Sequence, residues 1–182
     1  MGGVIVRGVT FAAGAPRVLM AGPCAVEGEE MIHAIAAAVA ASGGAFLRGG
    51  AYKPRTSPRD FQGIGAPALA WMRAAADAHG LGVVTEVLSE ADVDLVAGAA
   101  DIVQIGSRNA QNFALLRAVG ATGRPVLLKR GAAMTLREWR GAVEHANADA
   151  ASRPSTSPKS VQVHYEQTAD EYVTRVRRAL DY

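Results

Sequence analysis

The chain changes character in a regular rhythm, and that rhythm constrains its fold more than any other feature. Short β-rich runs at 18–22, 45–48, 83–87, 102–105 and 126–129 alternate with longer alanine-rich stretches at 29–41, 68–79, 90–99, 110–119 and 136–146. Val and Ile suit a pleated, buried surface, whereas Ala, Leu, Met and Glu are strong helix formers. Alternation of this kind predicts an α/β fold of βα units around a parallel sheet whose strands are buried on both faces. Glycines at 43, 44, 80, 120 and 123 follow the alanine-rich stretches, where helix C-termini favour glycine. Ser89 with Asp92, and Thr135 with Glu138, read as helix N-caps, the second as a full capping box.

Each β-rich run stops at a residue that can grip an anion or a metal. Cys24 follows the first run, and Arg48, Lys53 and Arg55 end or follow the second. Glu86 ends the third, Arg108 follows the fourth and Lys129 ends the fifth. In a barrel of parallel strands these C-terminal ends share one mouth, where such enzymes do their chemistry. Five cations there, with Glu27, Glu86 and Asp60 as the nearby carboxylates, predict a ligand carrying phosphate and carboxylate. Arginine forks bind such groups bidentately and lysine acts as a point charge. Surface salt bridges at loop ends are the plainer account of any one cation, but not of the set.

Cys24 has two readings, a small buried hydrophobe or a thiolate lowered in pKa by its cationic neighbours; position alone leaves both open. Glu86 is suited to balance the cations, orient a lysine or polarise a water, and equally to a structural ion pair. His33 and His145 fall on predicted helices and His79 at a helix end, where they face solvent or cap. His164 ends a possible sixth strand and is the one histidine that would face the mouth.

At 182 residues the chain has the size of one domain. A net charge of +2 is too small to imply nucleic acid or a membrane surface, and no run of about eighteen apolar residues exists to span a bilayer. The start, MGGVIVRGVTF, lacks the pattern of a secretory signal, and a single cysteine cannot form an internal disulfide. The expected location is the reducing cytoplasm. Residues 4–7 and 9–11 suit either a small hairpin that would plug the bottom of a barrel or a frayed arm. The sequence divides into a barrel region over 1–146, a polar, proline- and serine-containing linker over 147–160, and a strand and basic helix over 161–182.

AGPCAVE, LRGGAYKPRTSPRDFQGIG, TEV, IGSRNAQNF and PVLLKRG, in that order and spacing, resemble the motifs of the 3-deoxy-D-arabino-heptulosonate 7-phosphate (DAHP) synthases. The likeness is to their short β subtype, which is related to the 3-deoxy-octulosonate 8-phosphate synthases. MTLREWRGAVEH is similar to the helix after the LLKRG strand, so the resemblance covers residues 4–146. KPRTS is its most specific element, because it separates the DAHP synthases from their octulosonate relatives. The resemblance implies a TIM-type (β/α) barrel that condenses phosphoenolpyruvate with erythrose 4-phosphate, the first step of the shikimate route to aromatic amino acids. It implies that Arg48, Lys53, Arg108 and Lys129 hold phosphoenolpyruvate and that Arg55 and Thr56 hold the sugar phosphate. Lys53 and Glu86 would serve the chemistry, and Cys24 would be one ligand of a divalent metal such as Mn, Fe, Co or Zn.

The family's later motifs have no counterpart after Ala146: a Cys-Glu-Arg-Gly-like segment, a Ser-His pair, and a glutamate and aspartate that complete the metal site. The expectation is therefore a barrel shortened to five or six βα units. Its open strands would be covered in a homo-oligomer or by another chain. The alternative to an active synthase is a shortened, non-catalytic paralogue that binds a phosphorylated metabolite or assembles with a complete synthase.

Overall fold

A computed structural model describes residues 3–148. The chain opens with a hairpin of β1 (Val4–Val6) and β2 (Val9–Phe11), followed by β3 (Met20–Ala21) and α1 (Glu29–Ala41). Then come β4 (Phe46–Gly49), α2 (Ala66–Ala78), β5 (Gly82–Val87) and α3 (Val93–Ala99). The described part closes with β6 (Ile102–Ile105), α4 (Phe113–Ala121), β7 (Val126–Leu128) and α5 (Leu136–Asn147). Strands β3 to β7 form one parallel sheet in chain order, the arrangement that successive βα units produce. Among the described residues β3 and β7 are not paired with each other, so this sheet is open. The linker expected from residue 147 starts later than that, because α5 runs through Asn147 with Ala148 as its C-cap. The rest of that linker and the strand and helix after it, with His164, lie outside the described residues.

Strand register sorts every side chain onto one of two faces. Arg48 lies opposite Val84, Glu86 opposite Gln104, and Gln104 opposite Leu127. Because alternate residues share a face, Phe46, Arg48, Val84, Glu86, Ile102, Gln104 and Leu127 all point to the same side. Leu47, Val83, Val87, Val103, Ile105, Val126 and Leu128 point to the other side. There they join the main core with Ile32, Leu69, Met72, Leu115, Leu116 and Trp139 from the helices.

The first face is divided along its length. At its N-terminal end Phe46, Val84, Ile102 and Leu127 form a second apolar cluster with Val4 and Val6 of the hairpin, and Phe11 lies against Phe46 with ring centroids 5.7 Å apart. The hairpin therefore packs against the N-terminal end of this face rather than fraying. At the C-terminal end the same face turns polar, and that end is where the site is built.

Most predicted elements are present, with instructive differences. The third alanine-rich stretch begins as a 3₁₀ turn, Glu90–Asp92, before α3; ahead of the fourth stands another, Ser107–Asn109, and α4 starts only at Phe113. Thr135 and Glu138 do form the capping box. Ser89 does not cap with its side chain; its hydroxyl lies 2.6 Å from the Asp92 carboxylate. Gly43, Gly80 and Gly123 end helices in the left-handed region. Gly120 instead lies inside α4, where a Cβ would collide with the Ala146 carbonyl oxygen of α5.

That contact makes a signed prediction. A glycine-to-alanine change in an exposed helix interior gains about 1 kcal/mol. Gly120→Ala should instead cost about 1–3 kcal/mol, the usual penalty for overpacking, measured as a lower urea midpoint at unchanged m-value.

Candidate active site

The loops after β3 and β4 are tied together before any ligand arrives. The Val26 amide donates to the Gly50 carbonyl at 3.0 Å. The Lys53 ammonium donates to the Cys24 carbonyl at 2.8 Å and lies 3.1 Å from the Cys24 Sγ. Lys53 is 8% exposed, while the Cys24 thiol is exposed. The hydrogen bond from Lys53 lowers the Cys24 pKa; partial burial opposes it, and Lys53, Arg48 and Arg55 add their attraction for the thiolate. The buried-hydrophobe reading of Cys24 therefore gives way to an accessible thiol biased toward its anion.

Gln104, 2% exposed, is the polar centre of the sheet face. Its Nε2 donates to Glu86 Oε2 at 2.6 Å, and its Oε1 accepts from Arg48 Nε at 3.4 Å. Glu86 fits because residue 106 is glycine; a Cβ there would overlap the Glu86 carboxylate. Beside Glu86 stands Lys129, whose amide extends the ladder of β7 by donating to the Ile105 carbonyl at 3.0 Å. Burial lowers the Lys129 pKa, and Arg48 and then Lys53 lower it further, against the opposing pull of Glu86 and Cys24. Cys24, Arg48, Lys53, Glu86 and Lys129 thus act on one another electrostatically.

The loop from 50 to 65 folds back on itself. The Lys53 amide donates to the Gln62 carbonyl at 2.8 Å, and Tyr52 bridges to Gly63. Arg55 Nε donates to the Phe61 carbonyl at 3.2 Å, and Arg108 Nη1 reaches the Pro54 carbonyl at 2.8 Å. Between these parts lies a cavity of about 340 Å³ lined by Pro54, Glu86, Gly106, Ser107, Arg108 and Lys129. Arg48 and Lys53 do not line it: Arg48 reaches the lining residue Glu86 through Gln104, and both cations act electrostatically on Lys129. Arg55 and Thr56 lie on the exposed loop beside it. The sequence-predicted residues are therefore brought to one end of the sheet. Glu27 and Asp60 are exposed and do not line the cavity.

The two ends of the sheet treat cations differently. At the N-terminal end Arg73 pairs with Asp101 at 2.8 Å and Asp77 at 2.7 Å, and Arg7 approaches Asp101 at 3.7 Å. At the C-terminal end Arg48, Arg55 and Arg108 donate to neutral oxygens of Gln104, Phe61 and Pro54. Those bonds orient the guanidinium groups without neutralising them. An arrangement of this kind can bind a small polyanion, since charge-assisted bonds to phosphate and carboxylate exceed bonds to neutral acceptors in strength.

The described residues do not by themselves make a metal centre. Cys24 is a suitable soft donor, but no group of three or more His, Cys, Asp and Glu side chains converges among the described residues. Glu86 already gives one oxygen to Gln104. Sequence reasoning missed Gln104. The available signal was its position two residues after Ile102, which puts a lone amide on the same face as the site.

Parallel βα architecture with cations gathered at the strand C-termini is the arrangement in which TIM-type α/β proteins carry their sites. The comparisons narrow the class. The family model of the DAHP synthetase I family matches residues 5–174, past the point where the motif resemblance ended, and the chain belongs to that family. It is 53% identical over 127 residues to a phospho-2-dehydro-3-deoxyheptonate aldolase of Thermotoga maritima, covering 70% of this chain and 38% of the relative. It is 32% identical over 165 residues to a 2-dehydro-3-deoxyphosphooctonate aldolase of Nitratidesulfovibrio vulgaris, covering 87% of this chain and 60% of the relative. The chain therefore spans less than two thirds of either relative. A crystal structure of the T. maritima DAHP synthase superposes with a TM-score of 0.77 at 46% identity, over 82% of this chain and 43% of that one. A truncated form of the T. maritima enzyme superposes with a TM-score of 0.74 at 35% identity, over 98% and 65%. No helix among the described residues is long and apolar enough to cross a membrane.

The Cys24–Lys53 contact yields a test. The pH midpoint of Cys24 alkylation should fall below the ~8.5 of a free cysteine. Lys53→Met should move it upward, because the donor that stabilises the thiolate is gone. An unchanged midpoint in that variant would contradict the assigned cause.

Proposed function

We propose that this chain performs the aldol-type condensation of a DAHP synthase, joining phosphoenolpyruvate to erythrose 4-phosphate at the head of the shikimate route to aromatic amino acids. The observation that carries this reading is the gathering of Arg48, Lys53, Arg55, Arg108 and Lys129 at one end of the sheet, with Glu86 as the sole carboxylate among the described residues that line the cavity. Family membership and the 53% identity to a heptonate aldolase support it over the non-catalytic alternative. The KPRTS segment, residues 53–57, supports the heptulosonate branch over the octulosonate one.

Phosphoenolpyruvate carries a carboxylate and a phosphate on three carbons. Arg48, Lys53, Arg108 and Lys129 are the residues proposed to clasp those two groups. They lower the mutual repulsion that keeps two phosphorylated substrates apart, and they convert an encounter into a held geometry. Arg55 and Thr56, on the exposed loop, are proposed to take the phosphate of the aldehyde. As carbon–carbon bond formation gives way to water addition and phosphate loss, negative charge moves between oxygens. The Lys53 ammonium is proposed to stabilise that charge. Glu86, with one oxygen fixed by Gln104, is proposed to orient a water with the other. The chain is expected to act as part of an assembly, a homo-oligomer or a complex with another chain.

The direct test is phosphate release from phosphoenolpyruvate plus erythrose 4-phosphate, with manganese added. Release that requires both substrates is expected; release no faster than without protein would overturn the enzymatic reading. Lys129→Ala and Arg108→Ala should each weaken phosphoenolpyruvate binding by about 1.5–3 kcal/mol, or roughly 10- to 150-fold, read by calorimetry. Because the Lys129 pKa is lowered, phosphoenolpyruvate affinity should fall as pH rises through that value, below lysine's usual ~10.4. Binding in that range should take up protons, since a bound anion restores the ammonium.

Arg55→Ala separates the two subsites. It should raise the KM for the sugar phosphate roughly tenfold or more while leaving phosphoenolpyruvate affinity within about twofold. Equal losses for both ligands would count against a separate aldehyde-phosphate site.

A further inference from the structure

Arg48 and Glu86 carry opposite charges on the same face of neighbouring strands, yet no ion pair joins them within 4.0 Å; each instead bonds to Gln104. Glu86 is 9% exposed, so its carboxylate needs a donor. Without Gln104 the charged donors left to it are the Lys129 ammonium beside it and the Arg48 guanidinium on the neighbouring strand, and the guanidinium would be drawn toward the carboxylate. A guanidinium paired with a buried carboxylate is no longer available to an incoming anion.

We propose that Gln104 is a positioning residue that keeps the Arg48 guanidinium and the Glu86 carboxylate apart, so that Arg48 remains free to bind an anionic substrate. The amide suits this task because it presents opposite functions at its two ends. Its oxygen meets the cation and its Nε2–H meets the anion, and its net charge is zero. At 2% exposure, and fixed by the register of β6 between β5 and β7, it has little freedom to turn away. Neither a leucine nor a glutamate could replace it: the first bonds to neither neighbour, and the second repels Glu86. The substrate side of this inference rests on the phosphoenolpyruvate reading above; the separation of the two charges does not.

The test is a double substitution read in two ways. In calorimetric titration with phosphoenolpyruvate, Gln104→Met should weaken binding roughly ten- to fiftyfold. Adding Glu86→Gln should return affinity to within about threefold of the Glu86→Gln single variant, because the anion that would capture Arg48 is gone. A merely structural Gln104 gives no such rescue by removal of a charge. In urea unfolding without ligand, Gln104→Met should lower the midpoint and the added Glu86→Gln should recover at least half of the loss. Gln104→Met binding within twofold of the native protein overturns the proposal, as does a loss undiminished by Glu86→Gln. If native protein fails to bind millimolar phosphoenolpyruvate, the proposed function falls. The unfolding pair then decides the positioning role alone: recovery sustains it and absence of recovery ends it.

Discussion

Like charges resist being brought together, and this fold brings several together. At Lys129, burial and the neighbouring Arg48 both push the ammonium pKa down. Such a cluster persists only because the rest of the structure determines it. Five strands in register place Arg48, Glu86 and Gln104 on one face, and Lys129 follows β7 at the same end. The main core on the other face, from Leu47 and Val103 to the buried sides of the helices, holds those strands where the polar end alone would not.

The same sheet face serves two purposes along its length. Its N-terminal half is sealed by Val4 and Val6 against Phe46, Val84, Ile102 and Leu127. That seal leaves the C-terminal half as the place for a ligand. The charges outside the site follow the same division. Arg73 and Arg7 find Asp101 near the start of β6, whereas Arg48, Arg55 and Arg108 are oriented by neutral oxygens. Cations steered by carbonyls and an amide keep their charge, which suits the proposed binding of an anionic substrate.

Much of this was legible from residue types. Arg48, Glu86 and Lys129 stand where an apolar run stops, and that change is visible in one dimension. The hairpin was legible from two short β-rich runs either side of Arg7-Gly8. What escaped notice depends on contacts between segments distant in sequence. Gln104 lies inside a strand buried along its whole length, and its role depends on Arg48 from 56 positions earlier and Glu86 from 18. Gly120 carries the signature of a helix stop but serves the close approach of α4 and α5. Ser89 had the composition of a cap, yet its hydroxyl went to the Asp92 side chain. Local propensity names the candidates; register and crossing geometry decide among them.

The central claim is that these cations form one receptor for a three-carbon acid phosphate. A crystal structure of the chain grown with phosphoenolpyruvate tests it most directly. The ligand should lie in the cavity beside Glu86, with its charged groups within hydrogen-bonding distance of Arg48, Arg108 and Lys129. Clear density for the ligand on another face, with those three side chains untouched, would contradict it.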